Sequence, residues 1–293
     1  RDAPLPLSFA QQRLWFLDQL DPGRPLYNIP AALRLRGPLE VESLRLAIAE
    51  IVRRHESLRT TFVSGETGPI QHIHPPEAQK PLPIRQLTAP TPDLAEAELL
   101  ELVAQEGRRP FSLAQGPLFR PLLLQVSAQD HVLLLTMHHA ISDGWSMGVF
   151  LHELAVLYPV MRAGARSPLP ELHFQVADIS AWQRTLLQGS RFEEALSYWK
   201  TQLCGCRPLE LPLDQARPSL PSHCGGIYHF SVDPKLLAAL KALAQTQGAT
   251  LFMALLAAFQ LLLYRYSHLK AQLAVPGWQD ERDFAALAVR VWP

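Results

Sequence analysis

Two apolar runs separated by a short polar turn constrain the fold of this chain more than any other feature of its sequence. LFRPLLLQV (118–126) and HVLLLTM (131–137) are joined through the polar segment SAQD. Apolar runs of this length, divided by a tight polar turn, are typical of a β-hairpin. The sequence therefore predicts two neighbouring antiparallel strands in this part of the chain.

Helices and further strands are indicated on both sides of the hairpin. Helical spacing of apolar side chains and capping residues predict helices at 8–20, 41–55, 93–107, 146–161, 192–203, 234–248 and 251–263. Further strands are predicted at 31–37, 58–63 and 226–232, whereas the prolines between 69 and 92 predict an irregular connection. This alternation predicts the α/β class, as a mixed (α+β) sheet sandwich and not a helical bundle.

The size and charge of the chain exclude few architectures but several partners. A length of 293 residues allows one large domain or two lobes, because single cores tend to divide near roughly 250–300 residues. RAGARSPLPEL (162–172) is a candidate linker between two lobes. Lysine plus arginine and aspartate plus glutamate both number 27, so the net charge favours neither nucleic acid nor an anionic membrane as a partner.

Targeting signals and cysteine chemistry are weak in this sequence. The first 17 residues lack the pattern of a signal peptide, and the most apolar stretch, 251–263, has 13 residues where a membrane span takes roughly 20. We therefore expect that stretch to form a buried helix. Cys204, Cys206 and Cys224, with His223, lack the paired CxxC spacing of a zinc site. Three clustered cysteines also make a poor disulfide framework, which favours a reducing, cytoplasmic setting.

The second hairpin strand ends in TMHHAISDGWS (136–146), which is the main candidate functional motif. Successive side chains on a strand point to opposite faces, so His138 and His139 would need further ligands from elsewhere to hold a metal ion. The HExxH pattern of zinc proteases and the GxSxG pattern of serine hydrolases are both absent. Two interpretations stay open: a histidine that acts as general base or orienting acceptor between two bound substrates, or two structural histidines at a strand end.

Several stretches, in order along the chain, carry a resemblance to a known family. MHHAISDGWS (137–146) resembles the HHxxxDG motif of chloramphenicol-acetyltransferase-like acyltransferases, and in particular of nonribosomal peptide synthetase condensation domains. LSFAQQRLWFLDQL (7–20) and RHESLRTTF (54–62) resemble the first two signatures of the same family. VADISAWQR (176–184) and YWKTQL (198–203) are weaker matches, and Val176 and Ile179 stand where the family usually has aromatic residues.

The resemblance implies an architecture, an activity and partners. It implies an N-terminal acetyltransferase-like lobe over 1–172 and a partial second lobe over 173–293, with the motif facing a tunnel between them, because the match fades after Ala274. It implies amide-bond formation between a donor acyl thioester and an acceptor aminoacyl thioester. Both would be carried on the 4'-phosphopantetheine arms of upstream and downstream carrier proteins, beside an adjacent adenylation domain. It implies no directly bound cofactor, no metal, and no nucleic-acid or membrane partner.

The family's roles can be carried onto matching residues. His139, the second histidine of the motif, is expected to meet the acceptor amine, and His138 to pack and fix the loop. Asp143 corresponds to a family aspartate that pairs with an arginine, for which Arg54 and Arg59 are the candidates. The presence of both histidines and Asp143 argues against a heterocyclisation domain.

Three further residues complete the candidate site. Gly144 is expected to allow close approach of the backbone to a substrate, and its N–H to donate to an oxyanion. Trp145 and Ser146 continue the motif in the manner of peptide-forming domains and not of epimerisation domains. Two alternatives stay open: a free-standing acyltransferase of the same superfamily, and a catalytically silent module that docks carrier proteins without an intact second lobe.

Overall fold

The computed structural model describes most of the chain and divides it into two compact units. The described residues are 4–66, 68–76, 81–88, 91–205, 209–219, 225–226 and 228–267. The division falls between Phe192 and Glu193, which gives Arg1–Phe192 and Glu193–Pro293. Each unit is described by itself below.

The described part of the first unit combines helices with two sheets. Its strands are β1 (Leu5–Pro6), β2 (Asn28–Arg36), β3 (Thr60–Gly65), β4 (Gly68–Ile73), β5 (Ile84–Gln86), β6 (Phe119–Ser127) and β7 (Asp130–His138). Its helices are α1 (Phe9–Leu20), α2 (Val41–Arg54), α3 (Pro92–Arg108), α4 (Gly144–Arg162) and α5 (Val176–Leu186), with a 3₁₀ turn at Glu56–Arg59. The helix α6 (Ser190–Gln202) crosses the division. The predicted mixed α/β class is confirmed.

The predicted hairpin is confirmed as β6 and β7, at the centre of a four-stranded sheet with the order β2-β7-β6-β5. Leu133 lies opposite Leu123 in the antiparallel register. Leu133 packs with α2 and α4, whereas the neighbouring Val132 and Leu134 pack with α3. Because both faces of the sheet are covered by helices, the central strand is apolar throughout and does not alternate.

The proline-rich stretch contains two strands that the sequence did not indicate. β4 pairs with β1 and β3 in a second, antiparallel sheet, and Pro69 lies near the start of β4, opposite Ser64. β5 pairs in parallel with β6, with Ile84 opposite Leu123. These pairings join segments that are distant in sequence, so local composition carried no signal for them.

The structure moves the domain boundary from the predicted position. The predicted lobes, 1–172 and 173–293, would assign α5 to the second lobe, but α5 belongs to the first unit. Arg184 Nε donates to the Leu7 carbonyl at 2.8 Å, and Gln183 Oε1 accepts from the Phe9 N–H at 3.2 Å. These hydrogen bonds hold α5 against the N-terminal segment, so the proline-containing stretch 162–172 is a connection within the unit.

The described part of the second unit is helical. α7 (Pro234–Thr246) and α8 (Leu251–Ser267) follow the predicted capping residues Asp233 and Thr250, whose side chains accept from main-chain N–H groups. The strand predicted at 226–232 is wrong, since the described residues of that range form none. The weakly matching sequence after Ala274 lies outside the described residues.

α8 is also less buried than expected. Its apolar side chains are 45–64% exposed along one stripe, formed by Phe252, Leu255, Phe259, Leu262 and Tyr266. The described residues of this unit offer no strand against which such a stripe could pack, so the prediction of a buried helix is wrong for them. No single described helix is long and apolar enough to cross a membrane; only α7 and α8 counted together, across a 104° bend, meet that test.

Candidate active site

The motif sits on a tight connection between β7 and α4. The strand ends at His138 and the helix begins at Gly144. The Ile141 N–H donates to the His138 carbonyl at 3.0 Å, which closes a turn, and the His139 N–H donates to the Tyr27 carbonyl at 2.8 Å. The two histidines therefore leave the strand with a fixed main chain, anchored both locally and to the residue before β2.

His138 points into the core. It is 4% exposed and makes edge-on ring contacts with Tyr27 and Phe111. The Ala140 N–H donates to His138 Nδ1 at 3.1 Å, which assigns the ring proton to Nε2 in the neutral form. Burial, and then the neighbouring His139, lower the pKa of His138 to about 4. His138 is therefore a neutral structural ring at physiological pH.

His139 points outward and presents an unprotonated nitrogen. Its Nδ1 lies 2.9 Å from the Ser142 carbonyl oxygen. A carbonyl can only accept, so Nδ1 must carry the proton, and in the neutral ring Nε2 keeps its lone pair. The residue is exposed, so this lone pair is available to a proton or hydrogen-bond donor outside the protein. The local fold thus selects the tautomer that a general base or orienting acceptor requires.

Asp143 caps α4 and does not form the expected ion pair. Its Oδ1 accepts from the Ser146 N–H at 2.8 Å and from Ser146 Oγ at 2.6 Å, while the Asp143 N–H donates to Ser146 Oγ. These hydrogen bonds, led by the Ser146 hydroxyl, lower the pKa of Asp143. Within the described residues Asp143 pairs with neither Arg54 nor Arg59, so that prediction is wrong. The carboxylate is turned towards the helix N-terminus, whose N–H groups lack partners within the helix.

The two arginines serve other contacts. Arg54 is 4% exposed and reaches Glu153 of α4 through Nε and Nη2, both at 3.3 Å. Its Nη1 donates to the Pro170 carbonyl at 2.9 Å, and His55 Nε2 lies 2.9 Å from Glu153. Arg59 donates to the His74 carbonyl. Arg54 therefore locks α2 to α4, one step away from the motif.

Sequence reasoning missed the partner of Arg54. Glu153 is 7% exposed in an otherwise apolar stretch of α4. Burial raises its pKa, but hydrogen bonds from Arg54 and His55 outweigh that effect, and the net result is a lowered pKa. A lone acid on the apolar face of an amphipathic helix was the available signal, because such a group is rarely buried without a partner.

Gly144 and Trp145 open the start of α4 to the outside. A Cβ added to Gly144 would meet no atom within 4 Å, so no contact within the described protein requires glycine there. Trp145 is 84% exposed. The start of the helix therefore offers open space, a main-chain N–H and a bare aromatic side chain next to His139.

The main cleft of the first unit lies elsewhere. It has a volume of about 370 Å³ and lies between α2 and the start of β6, where Val52 and Leu118 contribute to its lining. None of the motif residues 138–146 lines it. Arg45 and Arg120 at this cleft are engaged by Glu42 and Glu106. We therefore take the exposed His139, and not the cleft, as the candidate active site.

The described residues contain no group of three or more histidine, cysteine, aspartate or glutamate side chains that could hold a metal ion. Cys204 is exposed. Cys206, Cys224 and His223, the other members of the cysteine cluster, lie outside the described residues.

The capping role of Asp143 gives a testable prediction. We expect Asp143→Ala to lower the free energy of unfolding by about 1 kcal/mol, whereas Asp143→Asn should cost little because asparagine caps equally well. The lowered pKa of Asp143 means that its charge stabilises the fold above the ordinary carboxyl pKa of about 3.9 and loses that effect as the pH falls through the folded-state value. Urea denaturation as a function of pH measures both effects. Equal damage by asparagine and alanine would point to an ion pair in place of the cap.

Comparison with known proteins agrees with the motif. Residues 2–275 match the sequence profile of the family described as "Condensation domain". A linear gramicidin synthase from Brevibacillus parabrevis is 48% identical over 268 residues, which is 91% of this chain but 3% of that protein. The chain thus spans a small part of this curated relative.

Solved structures agree as well. The X-domain from teicoplanin biosynthesis is 33% identical with a TM-score of 0.78, over 91% of this chain and 58% of that chain. The first condensation domain of the CDA synthetase is 20% identical with a TM-score of 0.75, over 99% of this chain and 75% of that chain. At that identity the second comparison shows the fold alone.

Proposed function

The chain belongs to the condensation-domain family, and we propose that it forms an amide bond between a donor acyl or peptidyl thioester and the α-amine of an acceptor aminoacyl thioester. The observation that carries this proposal is the exposed His139, whose Nδ1 is held by the Ser142 carbonyl so that Nε2 is an acceptor. The similarity to a linear gramicidin synthase supports a place in a peptide synthetase that makes a secondary metabolite.

The reaction has a simple balance. The acceptor nitrogen attacks the donor carbonyl carbon, a C–N bond forms and the C–S bond breaks. The nitrogen loses one proton, and the departing pantetheine thiolate takes up one proton. His139 Nε2 is placed to accept a hydrogen bond from the amine and to take its proton late in the step. A free α-amine titrates near about 7.7–8.0, so a useful fraction is already neutral, and holding two tethered reactants together contributes more than proton transfer alone.

The start of α4 supplies the remaining chemistry in this proposal. Gly144 is the first residue of the helix, and N–H groups at a helix start lack intrahelical partners. The Gly144 N–H is therefore a candidate donor to the oxyanion that develops on the donor carbonyl. The open space around Gly144 would admit the substrate backbone.

The partners follow from the chemistry. Upstream and downstream carrier proteins would present the two substrates on 4'-phosphopantetheine arms, and an adenylation domain would load the acceptor. The arms are substrates in this scheme and not resident cofactors. The cytoplasmic location expected from the cysteine pattern stays a prediction.

The test is a single-turnover assay with two loaded carrier proteins. We expect the acceptor carrier to gain the mass of the donor acyl group, measured by intact-protein mass spectrometry, and to gain none without the protein. An acceptor loaded with a hydroxyacyl group, and a coenzyme A donor, serve as comparisons. Preference for either comparison substrate would instead indicate the free-standing acyltransferase. Binding of both carriers without any product would indicate the silent docking module.

A further inference from the structure

One buried amide links the N-terminal helix to the motif. Gln11 of α1 is 6% exposed, and its Nε2 donates to the Ala140 carbonyl at 3.2 Å, across 129 residues of sequence. Its Oε1 accepts from the Ser8 N–H at 2.9 Å and from Ser180 Oγ at 3.5 Å. Both polar atoms of the side chain are therefore engaged, with the N–H side directed at the motif.

The contact falls at a decisive point of the turn. Ala140 is 5% exposed and directly follows His139. The Ala140 N–H is held by His138 Nδ1 and the His139 N–H by the Tyr27 carbonyl. The Gln11 amide adds a hold on the Ala140 carbonyl, on the peptide that leads towards Ser142. That peptide sets where the Ser142 carbonyl lies relative to His139 Nδ1, and hence which ring nitrogen is protonated.

We propose that Gln11 is a positioning residue for His139: by fixing the Ala140 carbonyl it holds the turn in the geometry that keeps the His139 proton on Nδ1. The contact with the turn stands on the geometry alone, whereas its consequence for amide formation rests on the proposed function. Gln11 does not itself reach the substrate side of His139.

Two variants remove the donor. Gln11→Met has similar length and no polar group at the end of its side chain. Gln11→Glu keeps the acceptor for the Ser8 N–H, since glutamate is a usual residue at this place of a capping box, but at alkaline pH it turns a carboxylate oxygen towards the Ala140 carbonyl. Both lose the hydrogen bond to the turn, and only the first also loses the capping contact.

The chain provides matched controls. Gln12 is exposed, lies next to Gln11 and contacts Arg184, so Gln12→Met makes the same chemical change without touching the turn. Ser8→Ala removes the other half of the capping box, which weakens the start of the helix, and leaves the Gln11–Ala140 contact in place. A general weakening of α1 would therefore appear in Ser8→Ala as well.

The decisive measurement is the tautomer of His139, read from the ¹⁵N resonances of its ring in histidine-labelled protein at alkaline pH and assigned with His139→Ala. We expect wild type, Gln12→Met and Ser8→Ala to hold the proton on Nδ1, and both Gln11 variants to shift population to Nε2–H. A folded Gln11 variant with the wild-type tautomer ratio would overturn the proposal.

Activity supplies a second, separable readout. In the loaded-carrier assay we expect the Gln11 variants to lose up to roughly 100-fold in kcat, with little change in the acceptor KM, and both controls to stay near wild type. Shifted tautomers in a protein that forms no amide even as wild type would leave the positioning contact standing and defeat the proposed function. Loss confined to KM would contradict a positioning role.

Discussion

Replacing His139 with alanine should lower the single-turnover rate of amide formation by about 10²–10⁴-fold, the usual contribution of a positioned proton acceptor. The side chain is exposed and its one hydrogen bond is to the Ser142 carbonyl, so the variant should fold normally. The loss should appear in the rate with both carriers preloaded, because the step that is slowed is attack of the amine. Rapid mixing followed by intact-mass analysis measures that rate.

A glutamine at the same position separates two roles of the ring. His139→Gln can still orient an amine through its amide oxygen but cannot take a proton at neutral pH. A rate for His139→Gln close to wild type would mean that orientation dominates, and a rate close to His139→Ala would mean that proton acceptance does. His152→Ala, at an exposed histidine on α4, is the matched control and should keep the wild-type rate. The assignment of His139 fails if the folded alanine variant also keeps that rate.

The parts of the fold that the sequence predicted are those set by local interactions. The hairpin of β6 and β7 depends on two apolar runs and one turn, and the start of α1 depends on Ser8 and Gln11, three residues apart. The cap at Asp143 was foreseen as one of two options, with Ser146, because capping is also local. The outward His139 and inward His138 follow from the alternation of side chains near a strand end.

The parts that the sequence did not predict depend on contacts between distant segments. The parallel pairing of β5 with β6, the docking of α5 on the N-terminal segment and the Arg54–Glu153 pair each join residues far apart in the chain. Composition marked 162–172 as a loop but could not show which unit α5 packs on. Helical periodicity placed α8 correctly, yet periodicity is the same whether an apolar stripe is covered or exposed.

Breaking the buried pair between α2 and α4 should produce the largest loss of stability. We expect Arg54→Met to lower the free energy of unfolding by about 3–5 kcal/mol, because Glu153 would keep a buried charge without its main partner. Both side chains are at most 9% exposed, so water can do little to stabilise the stranded carboxylate. For a unit of this size the loss corresponds to a fall in Tm of roughly 6–20 °C, measurable by calorimetry.

The neighbouring arginine gives the control. Arg53 pairs with Glu50 and Glu171 on the surface, where its side chain is 41% exposed, so Arg53→Met should cost about 0–1 kcal/mol. Equal costs for the two arginines would contradict a special role for the buried pair.

The double variant Arg54→Met with Glu153→Leu separates the stranded charge from the loss of packing. We expect it to be more stable than Arg54→Met alone, since no carboxylate is left buried, but less stable than wild type, since the Pro170 carbonyl loses its donor. The lowered pKa of Glu153 adds a pH signature. The stability contributed by the charge is complete above the ordinary glutamate pKa of about 4.3 and disappears as the pH falls through the folded-state value. The difference between wild type and the double variant should therefore shrink in acid. Because Arg54 acts on α4 and not on His139 itself, a folded Arg54 variant should keep the His139 tautomer, which distinguishes the brace of the helix from the positioning of the ring.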